Sequence, residues 1–129
     1  MINILITTHG ELAKGIVNSA KMIIGKFENV EYLVFDETMG ISIYEEKLAQ
    51  ILMNVDEERQ WLIFTDILGG TPFNTVSKFS FNNDNIAVFY GINLPLLMEA
   101  ILTKEGKKVQ EMAQSLIKTL PDTAGLSTI

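Results

Sequence analysis

Residues 61–79 read WLIFTDILGGTPFNTVSKF, and this stretch decides the architecture. Trp61–Thr65 is a short apolar run with almost no polar alternation, which suits a strand buried on both faces of a parallel sheet. The run breaks at Asp66 and passes through Gly69-Gly70 into Thr71-Pro72. Thr71 reads as a helix N-cap and Pro72 as the first helical residue, where a missing N–H is no loss. The helix that follows extends to about Phe79, and Asn82-Asn83-Asp84-Asn85 reads as a turn.

Three further short apolar runs, Ile2–Ile6, Val30–Phe35 and Ile86–Tyr90, are likewise rich in Val, Ile, Phe and Tyr, and three of the four runs barely alternate with polar residues. Helical spacing fills the gaps between them. Leu12, Ile16, Ala20 and Ile23 fall on one stripe, with Lys14, Asn18 and Lys21 turned away from it. Tyr44, Leu48, Ile51, Leu52 and Val55 form a second stripe, and Val109, Met112, Ala113, Leu116 and Ile117 another. Pro95 opens a short helix through Leu102, while Gly125–Ile129 reads either as a last strand or as a frayed end. Strand and helix alternate, so the expected fold is α/β: an open, doubly wound sheet with four parallel strands flanked by helices and right-handed crossovers. The charge runs Asp56-Glu57-Glu58 and Lys104–Lys108 read as solvated helix ends, and the methionines as core filling.

Composition bounds the function. The chain has 129 residues, which reads as one domain over residues 1–129, and 47% of them are hydrophobic. A chain of this length buries roughly two-thirds of its unfolded surface and needs no covalent staple. It contains no Cys, which excludes disulfides, thiolate metal sites and thiol catalysis. The formal charge of -6 makes nucleic acid and anionic membranes poor partners. Ile86–Met98, interrupted by Asn93 and Pro95, is too short to span a bilayer. The amino terminus has no cationic segment of the kind that opens a signal peptide, so a cytoplasmic location is expected.

In an open α/β sheet, ligands bind beyond the carboxyl ends of the strands, near the point where strand order reverses. Thr7-Thr8-His9-Gly10 follows the first strand, Asp66 to Pro72 the third, and Gly91-Ile92-Asn93 the fourth. If the first and third strands are neighbours, His9, the one histidine, faces Asp66 across a single crevice. A lone histidine is often only a surface residue, Asp66 alone only a turn residue, and Gly69-Gly70-Thr71-Pro72 only a tight turn. Together they describe one site. A carboxylate accepting from Nδ1–H leaves Nε2 unprotonated and nucleophilic. Gly10, Gly69 and Gly70 permit close backbone approach, and the amides and the Thr71 hydroxyl at the helix start can receive an anion. The turn lacks the Lys of a Walker motif, so one phosphoryl group fits it better than a nucleotide polyphosphate. One His among scattered acids makes no metal constellation, so neither a metal nor another cofactor is expected.

Thr8-His9-Gly10, Thr65 to Asn74, and Gly91-Ile92-Asn93-Leu94-Pro95-Leu96-Leu97-Met98-Glu99 resemble the IIA domain of the mannose family of the bacterial sugar phosphotransferase system. The likeness covers the whole chain, in the same order and at similar spacing. It implies that His9 is phosphorylated on Nε2 and that Asp66 hydrogen-bonds the other ring nitrogen. Thr71 stands where the family often has Ser, which keeps the hydroxyl, and Leu68 replaces a Trp found in some members. The resemblance further implies HPr as phosphoryl donor and a IIB domain, on a separate polypeptide, as acceptor. It also implies a homodimer in which a C-terminal antiparallel strand, here Gly125–Ile129, is exchanged between subunits. Alternatives are the phosphotransfer subunit of dihydroxyacetone kinase, which resembles residues 69–74 poorly, and a IIA-like regulatory module. A receiver domain would need paired acids after the first strand, where Thr7-Thr8-His9 stands instead, and a flavin or nucleotide binder a ribose-binding acid that is not apparent.

Overall fold

A computed structural model describes all residues, 1–129, of the chain. It contains β1 (Ile2–His9), α1 (Leu12–Ile24), β2 (Val30–Phe35), α2 (Ile41–Ile51), β3 (Gln60–Phe64), α3 (Thr71–Ser80), β4 (Ile86–Phe89), α4 (Leu94–Thr103) and α5 (Val109–Thr119), closed by a 3₁₀ turn at Leu120–Asp122. The four strands form one parallel sheet in the order β2-β1-β3-β4. The chain therefore steps outward from β1 to β2, then returns past β1 to build the other half. That reversal places the switch point between β1 and β3, as the expected fold required.

Alternation along the strands sorts the core into two layers. Leu62 and Phe64 of β3 face one way with Ile2, Ile4 and Ile6, under α1, α4 and α5. Trp61 and Ile63 face the other way with Leu5, under Tyr44 and Leu48 of α2 and Val76 of α3. Each fully buried Leu or Ile in these layers stabilises the fold by about 1.5–3 kcal/mol relative to exposure. Right-handed crossovers explain the division, because α1 lies on an outward step and α2 and α3 on steps in the opposite direction.

Several local expectations change. On α1 the residues turned to the core are Ala13, Val17 and Ala20, with Leu12 and Ile23 exposed. The small side chains let the helix lie close to the sheet, so the larger apolar residues mark its flank rather than its buried stripe. Ile117 of α5 is likewise exposed, whereas Val109, Met112, Ala113 and Leu116 are buried. β2 is an edge strand, and its Glu31 and Tyr32 are exposed. Leu94, not Pro95, begins α4, capped by the Asn93 side chain, which accepts from the Leu96 N–H at 3.0 Å. Lys104 is not a solvated helix end: it is buried, and its ammonium donates to the Ile2 carbonyl at 3.0 Å. Asp56-Glu57-Glu58 is a turn rather than a helix end, with Asp56 Oδ1 accepting from the N–H groups of Glu58 and Arg59. Gly125–Ile129 forms no strand within the chain and is exposed. No helix is long and apolar enough to cross a membrane.

Candidate functional site

β1 runs on through His9, which pairs in register with Phe35 at the end of β2. His9 is thus a strand residue at the sheet's carboxyl rim rather than a loop residue after it. The neighbouring strand β3 ends at Phe64, and Asp66 follows two residues later. Asp66 Oδ2 accepts from His9 Nδ1 at 2.8 Å and from the His9 backbone N–H at 3.0 Å. One carboxylate oxygen therefore fixes both the ring and the main chain of the same residue. The Asp66 side chain is only 11% exposed, whereas the His9 side chain is 45% exposed, so the carboxylate is sunk and the imidazole reaches solvent. Burial pushes the Asp66 carboxyl up. Donation from the His9 backbone N–H and ring, with a contribution from Ile67, outweighs that and holds it below the usual carboxylate range. A charged carboxylate on Nδ1–H leaves Nε2 as the nitrogen with a free electron pair.

Two neighbours confine the ring. The Phe35 ring meets it edge to face, with centroids 6.0 Å apart. The second is Gly70, where an added Cβ would lie 2.8 Å from His9 Cε1 and 3.6 Å from Nε2. Gly70 has an ordinary extended backbone, φ -73, so its requirement here is space rather than conformation. Gly69, at φ +80, supplies the left-handed turn that brings the chain back toward the ring. Asn74 of α3 fixes that turn by donating its side-chain N–H to the Gly69 carbonyl at 2.9 Å.

The N-cap of α3 is Gly70, with no side chain bonded to the free N–H groups; Thr71 is the first helical residue and Pro72 the second. This departs from the reading of Thr71 as the cap, because the glycine turn enters the helix one residue early. Thr71 and Phe73 N–H have no carbonyl to reach within the helix, and the Pro has no N–H at all. The Gly70 N–H is already engaged with the Ile67 carbonyl at 3.0 Å, and the Gly10 N–H with the Phe35 carbonyl at 2.9 Å. Gly10, at φ +57, serves the turn into α1, and along the glycine turn and first turn of α3 the N–H groups of Gly69, Thr71 and Phe73 have no main-chain partner. No three His, Asp or Glu side chains converge to hold a metal ion.

Three supporting contacts, made by Thr8, by Phe35 and by the Thr7–Tyr44 pair, escaped the sequence. Thr8 Oγ1 accepts from the Ala13 N–H at 2.8 Å and so caps α1 from five residues away. Phe35 could be placed against His9 only once strand register was known. Beneath the site, Thr7 Oγ1 donates to the Leu33 carbonyl at 2.8 Å, so the Tyr44 hydroxyl must donate to Thr7. Burial pushes the Tyr44 hydroxyl up to about 12, and the negative charge of Asp66 adds to the rise. A folded-state value raised above 10.0 means that this group's stabilisation is complete below pH 10 and is lost as pH rises toward about 12. Urea midpoints measured across pH 10–12 should therefore fall more steeply for the wild-type protein than for Tyr44→Phe. Equal slopes would contradict this origin of alkaline lability.

An open parallel sheet that holds one carboxylate-oriented imidazole at its switch point, against a glycine turn and a helix start, defines a domain built around a single histidine nitrogen. The family described as the PTS system fructose IIA component matches residues 3–117. The chain belongs to this family, the mannose-type IIA domains of the sugar phosphotransferase system, and is a phosphotransfer component of that system. The fructose-specific EIIA component of Bacillus subtilis is 31% identical over 116 residues, covering 90% of this chain and 80% of that protein. The mannose-specific EIIAB component of Escherichia coli is 31% identical over 104 residues, and the match takes in 81% of this chain but 32% of that longer protein. The crystal structure of the EIIA component from Streptococcus agalactiae superposes with a TM-score of 0.88 at 31% identity, covering 98% of this chain and 97% of the other.

Proposed function

We propose that this chain is a phosphohistidine carrier that takes a phosphoryl group from phospho-HPr on His9 and passes it to a histidine of a IIB domain. The observation that carries this reading is the 2.8 Å bond from His9 Nδ1 to Asp66, which leaves Nε2 beside the glycine turn. The Nε2 electron pair attacks the phosphorus of phospho-HPr in line. The phosphorus–nitrogen bond of the donor breaks, and its electron pair stays with the HPr imidazole. The His9 ring, carrying phosphorus on Nε2 and a proton on Nδ1, becomes cationic, and the Asp66 carboxylate offsets that charge. Free N–H groups of Gly69, Thr71 and Phe73, the Thr71 hydroxyl and the α3 dipole receive the phosphoryl oxygens. The donor is already a high-energy phosphoramidate, so positioning and electrostatics suffice, without ATP, a metal or another cofactor. Transfer to IIB is the same displacement with His9 as the leaving group.

Exposed Leu12, Ile67 and Leu68 lie on the segments that follow His9 and Asp66 and offer apolar area to both partners, in keeping with a cytoplasmic component that docks proteins in turn. A loaded protein mixed with a mannose-family IIB domain should lose its phosphoryl group while the IIB domain gains it; retention of the label by this chain would contradict the carrier role.

The expected homodimer has physical support in the sheet edge. β4 pairs only with β3, and a groove of about 540 Å³ runs between it and α5, lined by Ile86, Val88, Phe89, Ala113 and Ile117. An unpaired edge of this kind accepts another strand. The tail carries exposed Leu126 and Ile129, apolar residues suited to such a groove in a second copy. Removing residues 124–129 should convert a dimer into a monomer in sedimentation equilibrium. An unchanged mass would exclude strand exchange through the tail.

A further inference from the structure

Gly91-Ile92-Asn93 borders the site, yet phosphoryl transfer as described above gives it no task. It is tied on both sides. Gly91 N–H donates to the Asp66 carbonyl at 2.7 Å and Ile92 N–H to the Thr65 carbonyl at 3.0 Å, so this loop holds the main chain that carries the carboxylate. On its far side, Asn93 Nδ2 donates to Thr123 Oγ1 at 3.1 Å. The chemistry fixes the amide's direction. Leu96 N–H can only donate, and it takes Asn93 Oδ1 at 3.0 Å. The Thr123 hydroxyl gives its proton to the Leu120 carbonyl at 2.8 Å and so can only accept from Asn93. Rotating the amide by half a turn would lose both bonds. Thr123 is half-buried, and every residue after it is exposed.

We propose that Asn93 is a positioning residue that couples the His9–Asp66 pair to the root of the C-terminal tail at Thr123. The path is short, two hydrogen bonds joined by three residues of main chain: Thr123 to the Asn93 amide, along the backbone to Gly91, and across to the Asp66 carbonyl. Where seating of the tail on a second copy alters the bond at Thr123, linkage requires the state of the site to alter the seating of the tail by the same factor. The proposal rests on His9 and Asp66 being the carrier pair.

The test uses two substitutions that break the link and one that keeps it. Thr123→Val removes the acceptor at nearly constant shape; Asn93→Asp keeps the α4 cap but loses the donor; Thr123→Ser keeps the hydroxyl. Diethyl pyrocarbonate acylates free imidazole, and His9 is the one histidine in the chain, so its rate reads the site without any phosphotransfer partner. Acylation should slow about threefold or more in Thr123→Val and Asn93→Asp, the scale of one lost hydrogen bond, and stay at the wild-type rate in Thr123→Ser. Loading from phospho-HPr should follow the same order, with circular dichroism unchanged. A Thr123→Val protein that reacts like wild type, or a Thr123→Ser protein as slow as Thr123→Val, would overturn the coupling. The expected acylation order with no loading of any protein would support the coupling and remove the carrier reading instead.

Discussion

Asp66→Ala should lower the rate of phosphoryl loading on His9 by about 10²–10⁴-fold, the range over which an oriented acid–base partner contributes to a proton-coupled or charge-forming step. Two effects combine. The carboxylate that accepts from both the ring and the backbone of His9 is lost, so the imidazole no longer presents Nε2 in one direction. The cationic ring formed on loading also loses its only close counter-charge. Stability should change far less, because the space opened at the rim admits water to the freed His9 N–H. Rapid-quench measurement of loading from phospho-HPr, beside a thermal melt, separates the two. Loading within threefold of wild type would show that Asp66 is a turn residue and nothing more.

Gly70→Ala should cost about 10²-fold in the same assay, the penalty typical of a reacting atom displaced by about 1 Å. The backbone there is compatible with any residue, so folding gives no reason for glycine. The new methyl would stand 2.8 Å from His9 Cε1 and 3.3 Å from the Ile67 carbonyl oxygen, a side on which the backbone cannot give. Only the ring can move, and moving it strains the bond to Asp66. The Nδ1–H resonance of His9 should shift with the rate. A wild-type rate and an unshifted resonance together would show that the ring has slack the structure does not suggest.

Much of this site was legible because each piece is local. Apolar runs of five or six residues, punctuated by Gly and Pro, give strand, turn and helix in order, and the carboxyl ends of the strands then locate His9 and Asp66. The adjacency of β1 and β3 was a condition of that reading, and the observed strand order meets it. What stayed hidden depends on partners distant in sequence. The sheet-facing side of α1 is set by Ala13 and Ala20, which carry little hydrophobic signal beside Leu12 and Ile23. Lys104 looks solvated in sequence because its partner is the carbonyl of Ile2, at the opposite end of the chain. Placing the cap of α3 at Gly70 rather than Thr71 turns on the backbone of one glycine, and the contact of Phe35 with His9 on strand register. The tail posed a different difficulty: its apolar residues find no partner within this chain, so neither periodicity nor the folded protomer gives Gly125–Ile129 a place.

The most direct measurement is intact mass after incubation with phosphoenolpyruvate, enzyme I and HPr, for wild type and for His9→Ala in parallel. A carrier gains one acid-labile phosphoryl group in the wild type and none in His9→Ala. An equal gain in His9→Ala, or an unmodified wild type beside fully phosphorylated HPr, would contradict phosphoryl transfer through His9.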